Sequence, residues 1–496
     1  MSALPELQSR GALRGSGRFP AVAERLRYPL TVYVASRLVY LAVALIDVPL
    51  RGYPLVRELR NWDGVWYVRL AAGGYPHYLP THYGDGWHGP GGWSTLGFEP
   101  LYSMLMWFTG AIFPRGVEAW GVIIALVSGG VAVVEIAVLA ERWFGTAGSR
   151  RAVLFLCFFP GTIVFSMVYP EGLTLALVAG ALLCLEDRRW VLAGVLAGLA
   201  TAIEPVAFAI IPACAAVALR ELWRAGHGPV LSHGGGGAGV RGLVPRSLGG
   251  WSVASGRALL RGLGDPVARR ALWAPLLSPV GAGAFAVFLW FWVGTPTGNY
   301  TAQRVAWGEK SSILAVFIQA RTFLREFTHW RGWSHVNLNL PTGFLGAVLL
   351  LWGIRQMWLS RRGLVAVAPA ASTASSAQGL AVDSGGVTEG SGPVAGSAPV
   401  VGPDAAGSGA AGSGAAGPGG RGISLGAWVW TLGVAVLTLT SDKTPPNPRM
   451  LLCAFPALVA IAAPRSGRRQ RVLLGISGIL LVAMSIGTFA GGGLRP

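Results

Sequence analysis

Charged residues are scarce in this sequence. Asp, Glu, Lys and Arg make up 12% of its 496 residues, whereas soluble domains carry roughly 25%. Hydrophobic residues make up 52%, and the mean hydropathy is +0.52. This composition excludes an ordinary soluble domain and predicts an integral membrane protein built from apolar helices.

Acidic residues are scarcer still, with 22 Asp and Glu against 40 Lys and Arg, which gives a net charge of +18. A charge of this size could indicate a nucleic-acid-binding protein. However, the basic residues lie in short clusters between apolar segments, the arrangement that the positive-inside rule describes for membrane proteins. We therefore expect membrane lipids, and no nucleic acid, as partners.

Cysteine is also rare, and its four copies include no CxxC pair. Because each lies inside an apolar run, the sequence predicts buried thiols and neither disulfides nor zinc ligands. Walker, dinucleotide-binding GxGxxG and GxSxG motifs are missing, and the spacing of His77, His82 and His88 matches no zinc pattern. We expect no cofactor and no metal ligands, and dependence on a divalent metal stays open.

Long apolar segments are abundant and predict an all-α polytopic membrane protein with about 11–12 transmembrane helices and a large first outer loop. A spanning helix needs about 20 apolar residues. The segment 98–113 is short and lies between two prolines, so it could be a span, a re-entrant hairpin or an interfacial helix. The eleven other segments are 29–48, 119–140, 152–168, 171–185, 190–204, 205–220, 272–294, 341–358, 425–440, 449–463 and 472–490.

Arginine clusters between these segments predict the orientation and the domain organisation. Residues 1–28 are expected to form a cytoplasmic tail, followed by one transmembrane domain over 29–496. Two cytoplasmic linkers, 224–268 and 363–423, are predicted to be disordered because Gly, Ala, Ser and Pro cannot bury enough apolar surface. We expect a multi-pass protein of the plasma membrane.

Acidic residues gather at the outer ends of the predicted helices, where ionisable groups are candidates for function. Asp63 lies in "RNWDGVWYVRLAAGGYP", among three aromatic residues. It could also cap the helix that follows. Glu171 follows Pro170 in a tight turn and could favour the dipole of the next helix, serve as a ligand or orient a catalytic group. Glu99 is a third candidate acid.

Five short motifs resemble, in order, those of the PIG-V-type mannosyltransferases, which make the second mannosyl transfer of GPI-anchor synthesis, and their bacterial relatives. The first holds a Trp-Asp pair and ends in Gly-Tyr, and the third holds a Tyr-x-Glu segment. The motifs extend from residue 60 to residue 456 and read "NWDGVWYVRLAAGGYP", "GFEPLY", "FFPGTIVFSMVYPEGL", "AQRVAW" and "PRMLLCAFP".

The resemblance implies a GT-C glycosyltransferase fold and a sugar donor carried on polyprenyl phosphate. Asp63 matches the acid of the family's first outer loop, and Glu171 matches the acid of its Tyr-x-Glu segment. The sequence departs from the family at Glu99, where Phe is common, and at Glu204, where relatives often carry a basic residue. These departures leave the acceptor and the donor sugar open.

Transfer from a lipid phosphate needs three kinds of group. A base removes the proton of the acceptor hydroxyl, cations stabilise the departing phosphate, and aromatic walls hold sugar and lipid. Asp63 is the first choice for the base, followed by Glu171 and Glu99. Candidates for binding are Trp62, Trp66, Tyr67, Tyr75, Gln303, Arg304, Trp307, Lys443 and Arg449.

The sequence therefore predicts a hexosyltransferase, with mannose as the expected sugar, that acts on the outer face of the membrane. The acceptor could be a lipid, a glycan or a protein. The alternative is a transporter or flippase for a lipid-linked sugar, which would also be polytopic. The charges favour the enzyme because they lie at the outer ends of spans rather than midway across them.

The predicted orientation can be tested with single cysteines and a membrane-impermeant thiol reagent. Cysteines introduced at Gly84 and Gly298 should react from outside intact cells, whereas one at Gly409 should react only after permeabilisation. Labelling of Gly409 without Gly84 would reverse the orientation and remove the argument for a lipid-linked donor.

Overall fold

Helices make up nearly all regular structure in the computed structural model of the chain. The structure describes residues 18–52, 55–81, 94–113, 116–227, 253–328, 339–361, 422–442 and 446–489. Within these ranges the only β-structure is one isolated antiparallel bridge between Ser311 and Ser441. The all-α class of a polytopic membrane protein is confirmed.

The described residues of the first half of the chain form eight α-helices and three 3₁₀-helices. The 3₁₀-helices are Thr95–Gly97, Pro160–Ser166 and Pro205–Ala209. The α-helices are α1 (Arg18–Arg51), α2 (Leu55–Leu59), α3 (Asp63–Gly73), α4 (Pro100–Ile112), α5 (Val117–Cys157), α6 (Glu171–Glu186), α7 (Trp190–Ala200) and α8 (Ile210–Gly226).

The second half adds eleven α-helices and one described 3₁₀-helix, Arg270–Leu272. The α-helices are α9 (Val253–Gly264), α10 (Pro266–Arg269), α11 (Trp273–Leu277), α12 (Val280–Val293), α13 (Gly298–Val305), α14 (Ala315–Thr328), α15 (Asn339–Arg361), α16 (Leu425–Thr440), α17 (Pro448–Cys453), α18 (Phe455–Ala462) and α19 (Gly467–Phe489).

Helix α5 is two antiparallel arms joined at Gly145. A straight helix of 41 residues would be about 60 Å long, twice the hydrocarbon core of a bilayer. Gly145 has φ 73° and ψ 173°, a backbone conformation that glycine adopts without steric cost. The hydroxyl of Ser149 donates to the carbonyl of Ala137 at 2.7 Å, a contact that only a reversal of the chain allows.

A second break follows the end of α5. The 3₁₀-helix Pro160–Ser166 and α6 are bent by 105°, and the break leaves backbone carbonyls without helical partners. Arg37 of α1 is buried and donates to the carbonyls of Cys157 and Thr162 and to the hydroxyl of Ser166. Broken helices inside membranes need such internal partners. Arg37 therefore fixes the segment that leads into α6.

The number of single helices that could each cross a membrane is smaller than the predicted 11–12 spans. All twelve predicted segments contain helix, but six described helices are long and apolar enough by length and composition, or seven if the bent pair counts as one span. The difference arises from breaks within helices. For example, α5 is counted as one helix although it contains two antiparallel arms. The segment left open, 98–113, forms α4 of 13 residues, about 20 Å long and too short to span as one straight helix.

Two predicted boundaries need correction. Helix α1 begins at Arg18, ten residues before the predicted end of the tail at 28. The predicted linker 224–268 is wrong for its last third, because Val253–Gly264 and Pro266–Arg269 are helices. Arginines and leucines alternate at helical spacing there, so one face packs on α8. The linker 363–423 lies almost wholly outside the described residues.

Gly161 sets the distance between the bent segment and α17. A methyl group there would overlap the carbonyl of Pro448 and lie 3.1 Å from the backbone nitrogen of Arg449. Backbone atoms cannot rotate away as a side chain can. Because Gly161 has no side chain, its backbone packs directly against the backbone at the start of α17.

We expect Gly161→Ala to lower the thermal unfolding temperature of the detergent-purified protein. Overpacking of this kind costs about 1–3 kcal/mol or more. The matched control is Gly283→Ala in α12, where a methyl group meets no atom within 4 Å. An unfolding temperature for Gly161→Ala equal to that of the control would show that α17 can shift at little cost.

Candidate functional site

Three residues that the sequence analysis singled out meet at one end of the helical bundle. Nη1 of Arg449 lies 2.5 Å from Oδ2 of Asp63 and 3.4 Å from Oε1 of Glu171. The guanidinium carbon of Arg449 also lies 5.4 Å from the centre of the Tyr169 ring, within the range of a cation–π interaction. Helices α3, α6 and α17 thus each begin beside the same group of charges.

Asp63 is held by an unusual backbone conformation. It is the first residue of α3, and Trp62 before it occupies the N-cap position with φ 62° and ψ −124°. A positive φ is an outlier for a bulky residue and costs energy. The backbone N–H of Asp63 donates to the hydroxyl of Tyr169 at 3.2 Å. Trp62, and not Asp63, occupies the N-cap position and makes no side-chain cap hydrogen bond. The Asp63 carboxylate pairs with Arg449 instead.

Glu171 is the buried member of the group. Its side chain is 1% exposed, against 15% for Arg449 and 30% for Asp63. Neither carboxylate oxygen of Glu171 has a hydrogen-bond partner among the described residues, although Arg449 is within ion-pair distance. Burying a carboxylate is costly unless a cation compensates it. Glu171 therefore depends on Arg449 and in turn holds it in place.

Glu204 adds a further acid to this environment. Its side chain is buried and lies within electrostatic range of Glu171, Asp63 and Arg449. In the sequence, Glu204 stands out only as a departure from the family pattern. Arg449 is the cation that the described part of the chain places among these three acids.

Glu99, the third predicted catalytic acid, is buried immediately before α4 and is 1% exposed. Burial raises the pKa of Glu99 to about 8, and a hydrogen bond with the Asn299 side chain opposes this rise. Its position prevents direct contact with a substrate from outside the protein. Glu99 is therefore far less exposed than Asp63.

Three of the nine predicted binding residues donate hydrogen bonds to the segment 94–99. The amide of Gln303 donates to the carbonyl of Gly97 at 2.8 Å, and Nε1 of Trp307 donates to the carbonyl of Ser94 at 3.0 Å. The hydroxyl of Tyr75 donates to the carbonyl of Phe98 at 2.7 Å. These side chains fix the loop that leads to Glu99.

Aromatic rings link this loop to α3. The Trp66 and Trp307 rings meet edge to face with centroids 5.1 Å apart, and Tyr67 packs in the same manner on Phe98 and Tyr102. Trp66 and Tyr67 are buried. They therefore form part of the protein interior beneath Asp63.

Of the two other predicted phosphate-binding residues, Arg304 is not brought to the ion pair. Arg304 is exposed, and its guanidinium carbon lies 5.7 Å from the centre of the Tyr300 ring. Lys443 lies outside the described residues. Tyr169 was missed as an individual residue, although it belongs to the "VYPEGL" motif and contacts both Asp63 and Arg449.

The described residues offer no cluster of side chains suited to a metal ion. No group of three or more His, Cys, Asp or Glu side chains is arranged there to hold a metal ion. The guanidinium of Arg449 occupies the position between Asp63 and Glu171.

Comparisons with known proteins leave the family open. No protein-family model matches the sequence, and no curated protein matches it. A similar solved structure is the crystal structure of the Archaeoglobus fulgidus oligosaccharyltransferase, tethered to an acceptor peptide with an NVT sequon. Its TM-score is 0.35 at 14% identity, and the alignment covers 93% of this chain but 56% of that one. At this TM-score the similarity carries no argument about fold or function.

Proposed function

We propose that this protein is a membrane glycosyltransferase that moves a mannosyl residue from a polyprenyl-phosphate donor to an acceptor hydroxyl. The observation that carries the proposal is the Arg449 guanidinium held between Asp63 and Glu171 at one end of the bundle. The group offers a carboxylate that a substrate can reach and a cation suited to a phosphate. The motif resemblance in the sequence supports the choice of reaction and donor.

The different exposure of the acids supports different roles for them. Asp63, with 30% of its side chain exposed, can reach the acceptor, whereas Glu171 and Glu99 are buried. The acceptor oxygen attacks the anomeric carbon of the donor while its proton passes to the Asp63 carboxylate. The bond between the anomeric carbon and the phosphate oxygen breaks, and polyprenyl phosphate leaves with the electron pair.

Arg449 supports the departure of the phosphate. Its guanidinium can form two parallel hydrogen bonds to phosphate oxygens, and 15% of the side chain is exposed. Glu171 holds it from the buried side, so Arg449 keeps its position when Asp63 turns to the acceptor. Glu171 is thus a positioning residue and Asp63 the catalytic one. The proposal includes no cofactor.

The acceptor and the location complete the proposal. A lipid, a glycan or a secreted protein could supply the hydroxyl group. We place the reaction at the extracytoplasmic face of the plasma membrane, because the arginine-rich connections lie at the other end of the spans. A lipid-linked donor fits that face, where nucleotide sugars are absent.

The test of the proposal is Asp63→Asn. Asn keeps the shape of the side chain but cannot accept the proton, and loss of a general base costs on the order of 100- to 10,000-fold in rate. The variant should accumulate in membranes normally. Purified membranes should then transfer almost no label from radiolabelled polyprenyl-phosphate mannose to their acceptors.

The matched control is Asp187→Asn, which also removes an aspartate paired with arginine, in this case Arg142 at 2.7 Å. That pair lies at the opposite end of α6, so transfer should stay near the wild-type rate. Near-normal transfer by Asp63→Asn would exclude Asp63 as the base. Movement of the donor across the bilayer without formation of a labelled product would favour a flippase instead.

A further inference from the structure

A basic pocket lies at the end of α6 opposite to Glu171. It has a volume of about 450 Å³ and is lined by Arg188, Arg189, Arg270, Trp190 and Trp273 together with two aliphatic side chains. The 16 residues of α6 separate it from the candidate site by about 24 Å. The pocket is therefore a separate feature of the molecule.

Positive charge in the pocket is only partly neutralised. Arg188 pairs with Glu221 at 2.9 Å, but the same carboxylate also contacts Arg224 at 3.1 Å and Arg220 at 3.8 Å. Among the described residues, no carboxylate lies within ion-pair distance of Arg189 or Arg270. Arg189 and Arg270 are exposed and line the pocket, so an anion bound there would lie beside positive charge that no described carboxylate pairs with.

The surface next to these arginines is strongly apolar. The exposed fractions are 53% for Val191, 50% for Trp273, 63% for Leu276 and 54% for Val280. These side chains lie along α7, α11 and α12, which belong to the apolar membrane segments. An exposed apolar strip that begins at a basic pocket matches a molecule with an anionic head and hydrocarbon chains. Tryptophan at the junction is typical of the membrane–water interface.

We propose that this pocket binds the phosphate of an anionic membrane lipid, with the acyl chains along the strip that begins at Val191 and Trp273. Arg189, immediately before α7, and Arg270, in the 3₁₀-helix before α11, hold the phosphate oxygens. The bound lipid joins these two elements, which approach closely along their length. The site lies about 24 Å from the position proposed for the sugar donor, and it is independent of the proposed reaction.

The test measures lipid binding to the detergent-purified full-length protein by native mass spectrometry. The probes are phosphatidylglycerol, phosphatidylcholine and soluble glycerol 3-phosphate. Wild-type protein should retain phosphatidylglycerol in preference to phosphatidylcholine. Arg189→Gln with Arg270→Gln should weaken retention of phosphatidylglycerol roughly 10- to 30-fold, as expected for the loss of two arginines beside an anionic lipid.

Two further variants keep the result interpretable. Arg189→Lys with Arg270→Lys keeps the charge and should retain most of the binding. Arg468→Gln with Arg469→Gln removes two exposed arginines elsewhere at the same end of the bundle and should bind as the wild type does. Thermal unfolding of each variant shows whether it is folded.

Several outcomes would overturn the proposal. Equal retention of phosphatidylglycerol by wild type and the Arg189→Gln, Arg270→Gln variant would mean that the lipid binds elsewhere. An equal loss in the Arg468→Gln, Arg469→Gln control would reduce the effect to general surface charge. Displacement of the lipid by an equal concentration of glycerol 3-phosphate would identify a site for a soluble phosphate instead.

Discussion

The ion pair that Arg449 makes with Asp63 and Glu171 determines how the ends of three helices meet. A carboxylate removed from water without a partner costs several kcal/mol, and Glu171 has no hydrogen-bond partner among the described residues. The start of α6 is therefore stable only when α17, from a distant part of the chain, delivers its arginine. The requirement joins the first and last parts of the chain at one point.

Exposure rises across this group from Glu171 through Arg449 to Asp63. The innermost charge has no access to a substrate and can only orient its neighbour. The outermost carboxylate is accessible, and its backbone is held in a strained conformation at Trp62. Strain of this kind persists only where the surroundings enforce it, here through Tyr169. The arrangement fits the proposed roles, in which Glu171 positions Arg449 and Asp63 accepts the proton.

Helix breaks make this geometry possible in a protein of such apolar composition. A membrane helix normally satisfies all of its backbone groups internally, and irregular backbone survives there only where the protein supplies partners. Arg37 supplies them at the break before α6, and glycine allows the reversal within α5. At the other end of α6, arginines line the basic pocket, which lies beside an apolar surface. The two ends of α6 therefore carry sites of different chemistry.

The sequence by itself determined the class of protein and the helical segments. Low charge and long apolar runs exclude a soluble fold, and all twelve predicted segments contain helix because local composition decides helix formation in a membrane. It also identified Asp63, Glu171 and Arg449, since ionisable residues are rare in such a chain. It could not show where helices break. The sequence therefore predicts 11–12 spans, whereas six described helices are long and apolar enough to cross a membrane by themselves.

Only the tertiary structure decided which of these residues meet. Gln303, Trp307 and Tyr75 resembled binding residues in the sequence, yet their hydrogen bonds hold a loop of the protein itself. The sequence ranked Asp63 before Glu171 and Glu99, but only the structure shows that Asp63 is partly exposed while the other two acids are buried. The physical reason is that exposure and pairing depend on contacts between segments hundreds of residues apart. Local sequence sets which groups are charged, and long-range packing sets which of them a substrate can reach.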